Sequence, residues 1–452
     1  MKRQNPMQTE SAFAAAVRYL DSLQGSGIRP GLTRMRKILA ALGAPQHEVP
    51  AVLVAGTNGK GSTSATLESI LRASGYAVGF YSSPHLIDLR ERWRIEGRPI
   101  DPALFVGAVD RLRRGASLAD LVPTYFEALT LVAFLAFSEA QCDIAVLEVG
   151  MGGRLDATNV VRPMVSIITA IGFDHMEYLG RTIRAISREK AGVIHRHAIA
   201  ITSNVDPQIV EVLARRAARF DVDLHLAARE TRCQTVAESD VSQTIRLVTP
   251  SRNYLLETPL RGAHQVENIA LAVRAAEELE ARFEAIDPSA IAAGVAATEW
   301  RGRLERLVVG RKIFWIDGGH NRGAAEAIAT FIDWRIAQPR LLLFGIMGDK
   351  DIDAVAKILM PRFTRVIATE PYTPRSASAT ALASLAHSYG IEAEAVPNVN
   401  DALEAALAAP ESTVVVCGSL YLAGAALDFL DRHAMAAAAR SAVDRNQAAA
   451  TS

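Results

Sequence analysis

Seven consecutive residues, Gly56-Thr57-Asn58-Gly59-Lys60-Gly61-Ser62, carry the clearest chemistry in this chain. Glycines at this spacing let backbone N–H groups wrap around phosphate oxygens. Lys60 can reach the β- and γ-phosphates, and the Ser62 hydroxyl can touch a magnesium ion. The loop departs from the G-x4-G-K-[ST] pattern, because Gly61 separates Lys60 from Ser62. Context decides between a nucleotide loop and an ordinary glycine-rich turn. Residues 49–55 read as a buried strand, and the helix that follows the loop brings the partial positive charge of its N-terminus. That context favours ATP contacts from Asn58, Gly59, Lys60, Gly61 and Ser62. No guanine-reading NKxD segment stands at a strand end, so ATP is expected rather than GTP.

The surrounding elements must hold this loop in a parallel sheet. The helix after it should stop at Gly75, since glycine accepts the left-handed conformation that ends a helix. A short strand over 77–81 then ends in Ser82-Ser83-Pro84-His85. Strand, loop, helix and strand in that order make a βαβ unit. Residues 125–140 read as an apolar helix. The continuous apolar runs 144–149 and 165–170 read as strands covered on both faces. They end in Gly150-Met151-Gly152-Gly153 and Ile171-Gly172-Phe173-Asp174-His175. Ligands of such sheets bind beyond the carboxyl ends of the strands, where these polar residues gather. Residues 11–43 read as helical with a break at 25–31, residues 221–262 as β-rich, and 265–279 as helical. A second alternation has strands at 313–316, 341–344, 366–369 and 413–416. The expected fold class is α/β with two domains and a mostly parallel sheet in each. The first domain spans residues 1–299 and holds the nucleotide loop. The second is smaller, Rossmann-like and spans 300–433. The alanine-rich residues 434–452 read as a frayed helix or flexible tail.

Composition excludes several classes. The chain has 452 residues, half of them hydrophobic and 22% charged, which suits packed cores rather than disorder. Its 49 Lys plus Arg balance 49 Asp plus Glu, so no global basic field invites nucleic acid. Cys142, Cys233 and Cys417 are an odd number, far apart and without CxxC spacing, which argues against a disulfide framework or zinc ribbon. The polar N-terminus lacks the apolar core of a signal peptide, and the apolar run 129–137 is too short to span a bilayer. A monomer in the cytoplasm is expected, without membrane or nucleic-acid partners.

The loop at 56–62 resembles the nucleotide loop of the Mur ligase superfamily. Tyr81-Ser82-Ser83-Pro84-His85-Leu86 resembles one branch of it, the folylpolyglutamate synthase and dihydrofolate synthase family. Further matches follow in order: Leu147-Glu148-Val149-Gly150-Met151-Gly152-Gly153-Arg154-Leu155-Asp156-Ala157-Thr158-Asn159, Gly172-Phe173-Asp174-His175, and Ser187-Arg188-Glu189-Lys190-Ala191-Gly192. Then come Gly302-Arg303-Leu304-Glu305, Asp317-Gly318-Gly319-His320-Asn321 and Val416-Cys417-Gly418-Ser419-Leu420-Tyr421. The resemblance runs over about residues 15–432. The family commonly has Pro after His-Asn, where this chain has Arg322.

The resemblance implies ATP and Mg2+ as cofactors, with K+ as an optional ion. It implies magnesium ligation by Ser83, Glu148 and His175. An imidazole is unusual for magnesium and rests on the resemblance alone. A glutamate after a strand otherwise reads as a solvated loop residue, though Gly150, Gly152 and Gly153 leave space for a ligand. Lys190, by resemblance, is carbamylated, which would turn its cation into an anion. Asn268, Arg303 and Asp317 match ATP-contacting positions. An Asn amide can read an adenine edge, an Arg can fork onto phosphate, and Asp317 could hold ribose or the magnesium-water shell. The bland alternative for Arg303 is a surface ion pair with Glu305. Lys60, Lys190, Arg303 and His175 are the expected catalytic residues.

Gly31, Leu32 and Arg34 resemble the family's pterin-side motif, as do Thr124, Tyr125, Phe126 and Glu127, with Leu155, Asp156 and Ala157 as further candidates for that face. The aromatics could stack on a heterocycle while Glu127 accepts from its N–H groups. The alternative is a helix N-terminus capped by Thr124 with the aromatics in the core. The implied activity is ATP-dependent ligation of L-glutamate to dihydropteroate and to reduced folates through an acyl phosphate. A cell-wall amino-acid ligase and a nucleotide switch are the rivals. The Ser-Ser-Pro-His segment argues against the first, and the intact Glu148, His175, Lys190 and Arg303 against the second.

Overall fold

In the computed structural model the described residues are 6–27 and 29–450, with side chains described for 10–25, 27 and 29–435. Three sheets organise them. The first has strands β1 (Ala51–Ala55), β2 (Val78–Tyr81), β3 (Trp93–Ile95), β4 (Arg98–Pro99), β5 (Ile144–Glu148), β6 (Pro163–Ile168), β7 (Ile199–Thr202) and β8 (Leu224–Leu226), in the spatial order β4-β3-β2-β5-β1-β6-β7-β8. Neighbours from β2 to β8 run parallel, and β3 and β4 form an antiparallel edge. Both faces are covered by buried apolar side chains, which explains the unbroken apolar runs. Register sets the site. Val54 lies beside Glu148 and Ile167, and Ala55 beside Ile168, so three loops leave the sheet at one level.

The expected helix after β1 is Lys60–Ala73, and Gly75 beyond it has φ +87°. The β-rich stretch contributes β8 and then a separate antiparallel sheet of β9 (Arg232–Glu238), β10 (Gln243–Val248) and β11 (Asn253–Thr258). The helix Ala263–Leu279 packs on the Lys60–Ala73 helix.

The third sheet has β12 (Glu305–Val309), β13 (Lys312–Ile316), β14 (Arg340–Phe344), β15 (Arg365–Ala368), β16 (Glu392–Ala395) and β17 (Thr413–Cys417), in the order β12-β13-β17-β14-β15-β16. Only β12 is antiparallel to its neighbour. Two of these strands lie outside the sequence reading. β16 is Glu-Ala-Glu-Ala, without the β-branched side chains that mark a strand. β12 pairs through the tight turn at Gly310, φ +61°. The final helix is Leu420–Ala450, so the backbone of residues 434–450 is helical, and 451–452 lie outside the described residues. Among the described residues no helix is long and apolar enough to cross a membrane.

Candidate active site

All five residues of β1 are buried, and the glycine loop springs from its end. Gly59 has φ +88°, and a Cβ there would lie 2.2 Å from Asn268 Oδ1. A Cβ on Gly61 would lie 2.6 Å from the Trp300 ring. Glycine is needed at both places because later segments press on the loop. Asn268 is buried, donates to Gln265 Oε1 at 2.9 Å, and its carbonyl accepts from the Thr63 hydroxyl at 3.3 Å.

Two lysines meet at this loop. Lys60 Nζ donates to the carbonyls of Gly56 at 3.2 Å and Thr57 at 3.1 Å. Lys190, on the helix Ile183–Ala191, is 4% exposed, and its Nζ donates to the same Gly56 carbonyl at 2.5 Å. Burial, reinforced by the Lys60 charge, pushes the Lys190 amine down to about 7. Near neutral pH Lys190 is therefore partly the free amine, while Lys60 beside it carries the loop's positive charge.

Glu148 ends β5 and is 5% exposed. Its Oε2 accepts from the Ser83 N–H at 3.3 Å, and no cation lies within ion-pair distance among the described residues. Burial pushes this carboxyl up, while Lys60, the Ser83 N–H and Arg303 pull the other way. A buried, under-partnered carboxylate beside a serine is an oxygen-donor set that suits magnesium with phosphate oxygens and water. Among the described residues no three His, Cys, Asp or Glu side chains converge on one point, so the protein could supply only part of a coordination shell. His175 stands further out, in a left-handed turn at φ +49° with its side chain 40% exposed. Burial, with Asp174 opposing, pushes its imidazole down to about 4, so it is neutral at pH 7.

Asp174 is the centre of a cluster that joins the first and third sheets. Its carboxylate accepts from Lys350 Nζ at 2.8 Å and Asn321 Nδ2 at 3.2 Å, with His320 Nε2 at 3.6 Å. Asn58 and Asn321 exchange side-chain hydrogen bonds of 3.1 and 2.9 Å across the same junction. Burial alone would raise the Asp174 carboxyl, but the adjoining His320, His175 and Lys350 hold it well below the usual range. Lys350 has no role in the sequence reading. Its signal was position, in Gly348-Asp349-Lys350-Asp351 just beyond the carboxyl end of β14.

Arg303 does not make the surface pair with Glu305. Glu305 binds Arg301 at 2.8 Å instead, and Arg303 Nη1 donates to the Gly302 carbonyl at 2.8 Å. Asp317 is buried, and its two oxygens accept from the Leu304 and Gly319 N–H groups at 2.9 and 2.7 Å. It therefore anchors the turn that carries Arg303. Ser83, Glu148, Trp300, Arg303 and Leu420 line a cleft of about 200 Å3 between the two larger sheets.

The expected pterin residues form a second cluster, where the Thr33–Ala41 helix, the Tyr125–Glu139 helix and the turn Ala157–Val160 pack together. Thr124 and Glu127 make a full capping box, as the bland alternative holds. Glu127 does more than cap. Its Oε2 also accepts from Arg34 Nε at 2.7 Å, while Oε1 is buried without a partner. Tyr125 and Phe126 are half-buried, and Phe126 sits 6.3 Å from the Tyr81 ring. Asp156 accepts from the Met151 and Thr158 N–H groups and the Thr158 hydroxyl at 3.0, 3.0 and 2.6 Å, so it shapes its own turn. Leu32 and Ala157 are buried, Leu155 is exposed, and Gly31 has φ +135°.

A glycine loop at the end of a parallel strand, facing a second α/β sheet, is a nucleotide-site architecture built from two sheets. Residues 54–276 match the Mur ligase middle domain, and residues 302–420 the Mur ligase glutamate ligase domain. The folylpolyglutamate synthase of Lacticaseibacillus casei is 34% identical over 432 residues, covering 91% of this chain and 97% of its own. A dihydrofolate synthase/folylpolyglutamate synthase of Mycobacterium tuberculosis is 33% identical, covering 90% and 91%. The solved M. tuberculosis folylpolyglutamate synthase complexed with ADP superposes with a TM-score of 0.84 at 33% identity, over 93% of this chain and 99% of that one. Escherichia coli FolC in complex with DHPP and ADP gives 0.82 at 31%, over 93% and 98%. The chain belongs to the folylpolyglutamate synthase and dihydrofolate synthase family of Mur ligases.

Proposed function

We propose that this chain is an ATP-dependent ligase that joins L-glutamate to dihydropteroate, giving dihydrofolate, and to reduced folates, giving folylpolyglutamates. The observation that carries the reading is the convergence of Lys60, Lys190 and the buried Glu148 on one glycine loop, with Arg303 lining the adjoining cleft. Relatives solved with ADP, and with DHPP and ADP together, support a nucleotide site and a second small-molecule site in the same fold.

The substrate carboxylate attacks the γ-phosphorus. A C–O–P bond forms, the bond to the β-phosphate oxygen breaks, and ADP leaves. The amine of L-glutamate then attacks the acyl carbon, its proton passes to solvent, and phosphate leaves. Lys60 and Arg303 offset the charge that builds on the transferring phosphoryl group. Asn58, Gly59, Gly61 and Ser62 present the loop to the phosphates, and Asn268 and Asp317 brace the loop and the Arg303 turn. Ser83 and Glu148, with His175, would hold magnesium, which supplies further charge neutralisation when bound. Lys190, near 7, offers the neutral amine that adds CO2, which supports carbamylation there. The unpartnered Oε1 of Glu127, beside Tyr125 and Phe126, is placed to accept from a pterin N–H. Residues 1–299 and 300–433 act as the two domains of a cytoplasmic monomer, closing on substrates through the Asp174–Lys350 and Asn58–Asn321 contacts.

Phosphate release from ATP and magnesium tests the reading. Release is expected with dihydropteroate and with tetrahydrofolate, each only when L-glutamate is present. Release with neither acid would overturn it.

A further inference from the structure

The cleft beside Glu148 and Ser83 holds a cation that the reaction above does not use. Arg94 lies in β3, opposite Phe80 of β2. Its guanidinium carbon lies 5.9 Å from the Phe80 ring centroid and 5.3 Å from that of Trp300, and the residue lines the cleft. Cation–π contact with two rings leaves the outer N–H groups of a guanidinium available to an anion. Among the described residues Arg94 makes no ion pair and no hydrogen bond, and its Nε is buried without a partner, as is Trp300 Nε1. The acidic groups nearest in charge are occupied or outside. Glu91 accepts from the Leu86, Ile87 and Asp88 N–H groups, Glu68 pairs with Arg72, and Glu299 is exposed. Burial pushes the Arg94 guanidinium below its ordinary value, with the Glu91, Glu68 and Glu299 charges only partly opposing it. Such a group is costly to maintain unless an anion joins it.

The other arginines of the cleft narrow the choice of anion. Arg301 is closed by Glu305 and Asp431. Arg303 makes no ion pair among the described residues and faces the transferring phosphoryl group together with the carboxylate that attacks it. Two open arginines in one cleft suit a substrate end with two carboxylates. At about 200 Å3 the cleft is smaller than the roughly 300–1,000 Å3 of a whole-ligand pocket, so it fits one end of a folate. A folate tail ends in glutamate, whose γ-carboxylate reacts and whose α-carboxylate is spare. Dihydropteroate has one carboxylate, and that one reacts.

We propose that Arg94, held against Trp300 and Phe80, binds the spare α-carboxylate of a folate's terminal glutamyl residue and so sets preference for chain elongation over the first glutamate addition. The assignment rests on the functional reading above. The test is R94Q, with R94M as the variant that keeps an apolar contact with Trp300. KM for tetrahydrofolate should rise roughly tenfold to a hundredfold, the loss expected of one charged hydrogen-bonding pair, with little change in kcat. KM for dihydropteroate and for L-glutamate should stay at the wild-type value. Equal losses with both acids, a rise in KM for L-glutamate, or no change would each overturn the proposal. Should the wild-type protein turn over neither acid, the functional reading has failed. Calorimetric binding of pteroylmonoglutamate against pteroate then still reads Arg94. R94Q should weaken only pteroylmonoglutamate, and any other pattern refutes the assignment.

Discussion

Replacing Gly59 with alanine perturbs the nucleotide loop at one defined point. A non-glycine residue at φ +88° costs about 1–2 kcal/mol in backbone energy. The new Cβ would also lie 2.2 Å from Asn268 Oδ1. Asn268 is 6% exposed, so its side chain cannot swing into solvent without leaving Gln265. That hydrogen bond is worth about 0.5–1.5 kcal/mol. The variant should therefore lose about 2–3 kcal/mol, part of it in the loop's ability to hold phosphate. Gly75→Ala is the internal control, because Gly75 has φ +87° but nothing within 4 Å of a Cβ. Denaturant unfolding should show a backbone cost in both variants. A fluorescent ATP analogue should show weakened binding only in Gly59→Ala. Wild-type nucleotide affinity in Gly59→Ala would refute the placement of Asn268 against the loop.

Lys60→Ala should abolish turnover with either acid while the fold persists by circular dichroism, and normal turnover would overturn the phosphate-loop assignment. The Lys190 amine sits near 7 in the native protein against an ordinary 10.5, so between those values the unfolded chain binds the extra proton and stability rises with pH. Wild-type stability should therefore gain on Lys190→Met between pH 7 and pH 9 in bicarbonate-free buffer, and parallel curves would show that the amine is not perturbed. In carbon-13 bicarbonate, a carbamate NMR signal should appear in the wild type and vanish in Lys190→Ala. Glu127→Ala should lower the melting temperature, because it removes the capping box and the Arg34 pair. It should also weaken dihydropteroate use more than tetrahydrofolate use, and equal kinetic losses would leave Glu127 purely structural.

The elements that position the loop were legible because their signals are local. β1, β5 and β6 are continuous apolar runs, the Lys60–Ala73 helix stops before a left-handed Gly75, and Thr124 precedes Glu127 at capping-box spacing. What escaped depends on packing between distant segments. Arg34 meets Glu127 across 93 residues, and Lys350 meets Asp174 across 176. Neither pair leaves a periodic or turn signature. His175 was expected at a strand end facing the loop, but six residues separate it from the end of β6 and, in its left-handed turn, it is part-exposed. Arg94 has no role in the sequence reading, which placed no strand there. Only the docking of Trp300 turns it into a ring-contacting, unpaired cation.

The central claim is that the acid is activated by phosphorylation before the amine attacks. Tetrahydrofolate labelled with oxygen-18 in its γ-carboxylate tests it directly. The account predicts that, with ATP, magnesium and L-glutamate, one labelled oxygen per turnover leaves in inorganic phosphate, read by mass spectrometry. Phosphate free of label during amide formation would contradict an acyl phosphate and with it the roles given to Lys60 and Arg303.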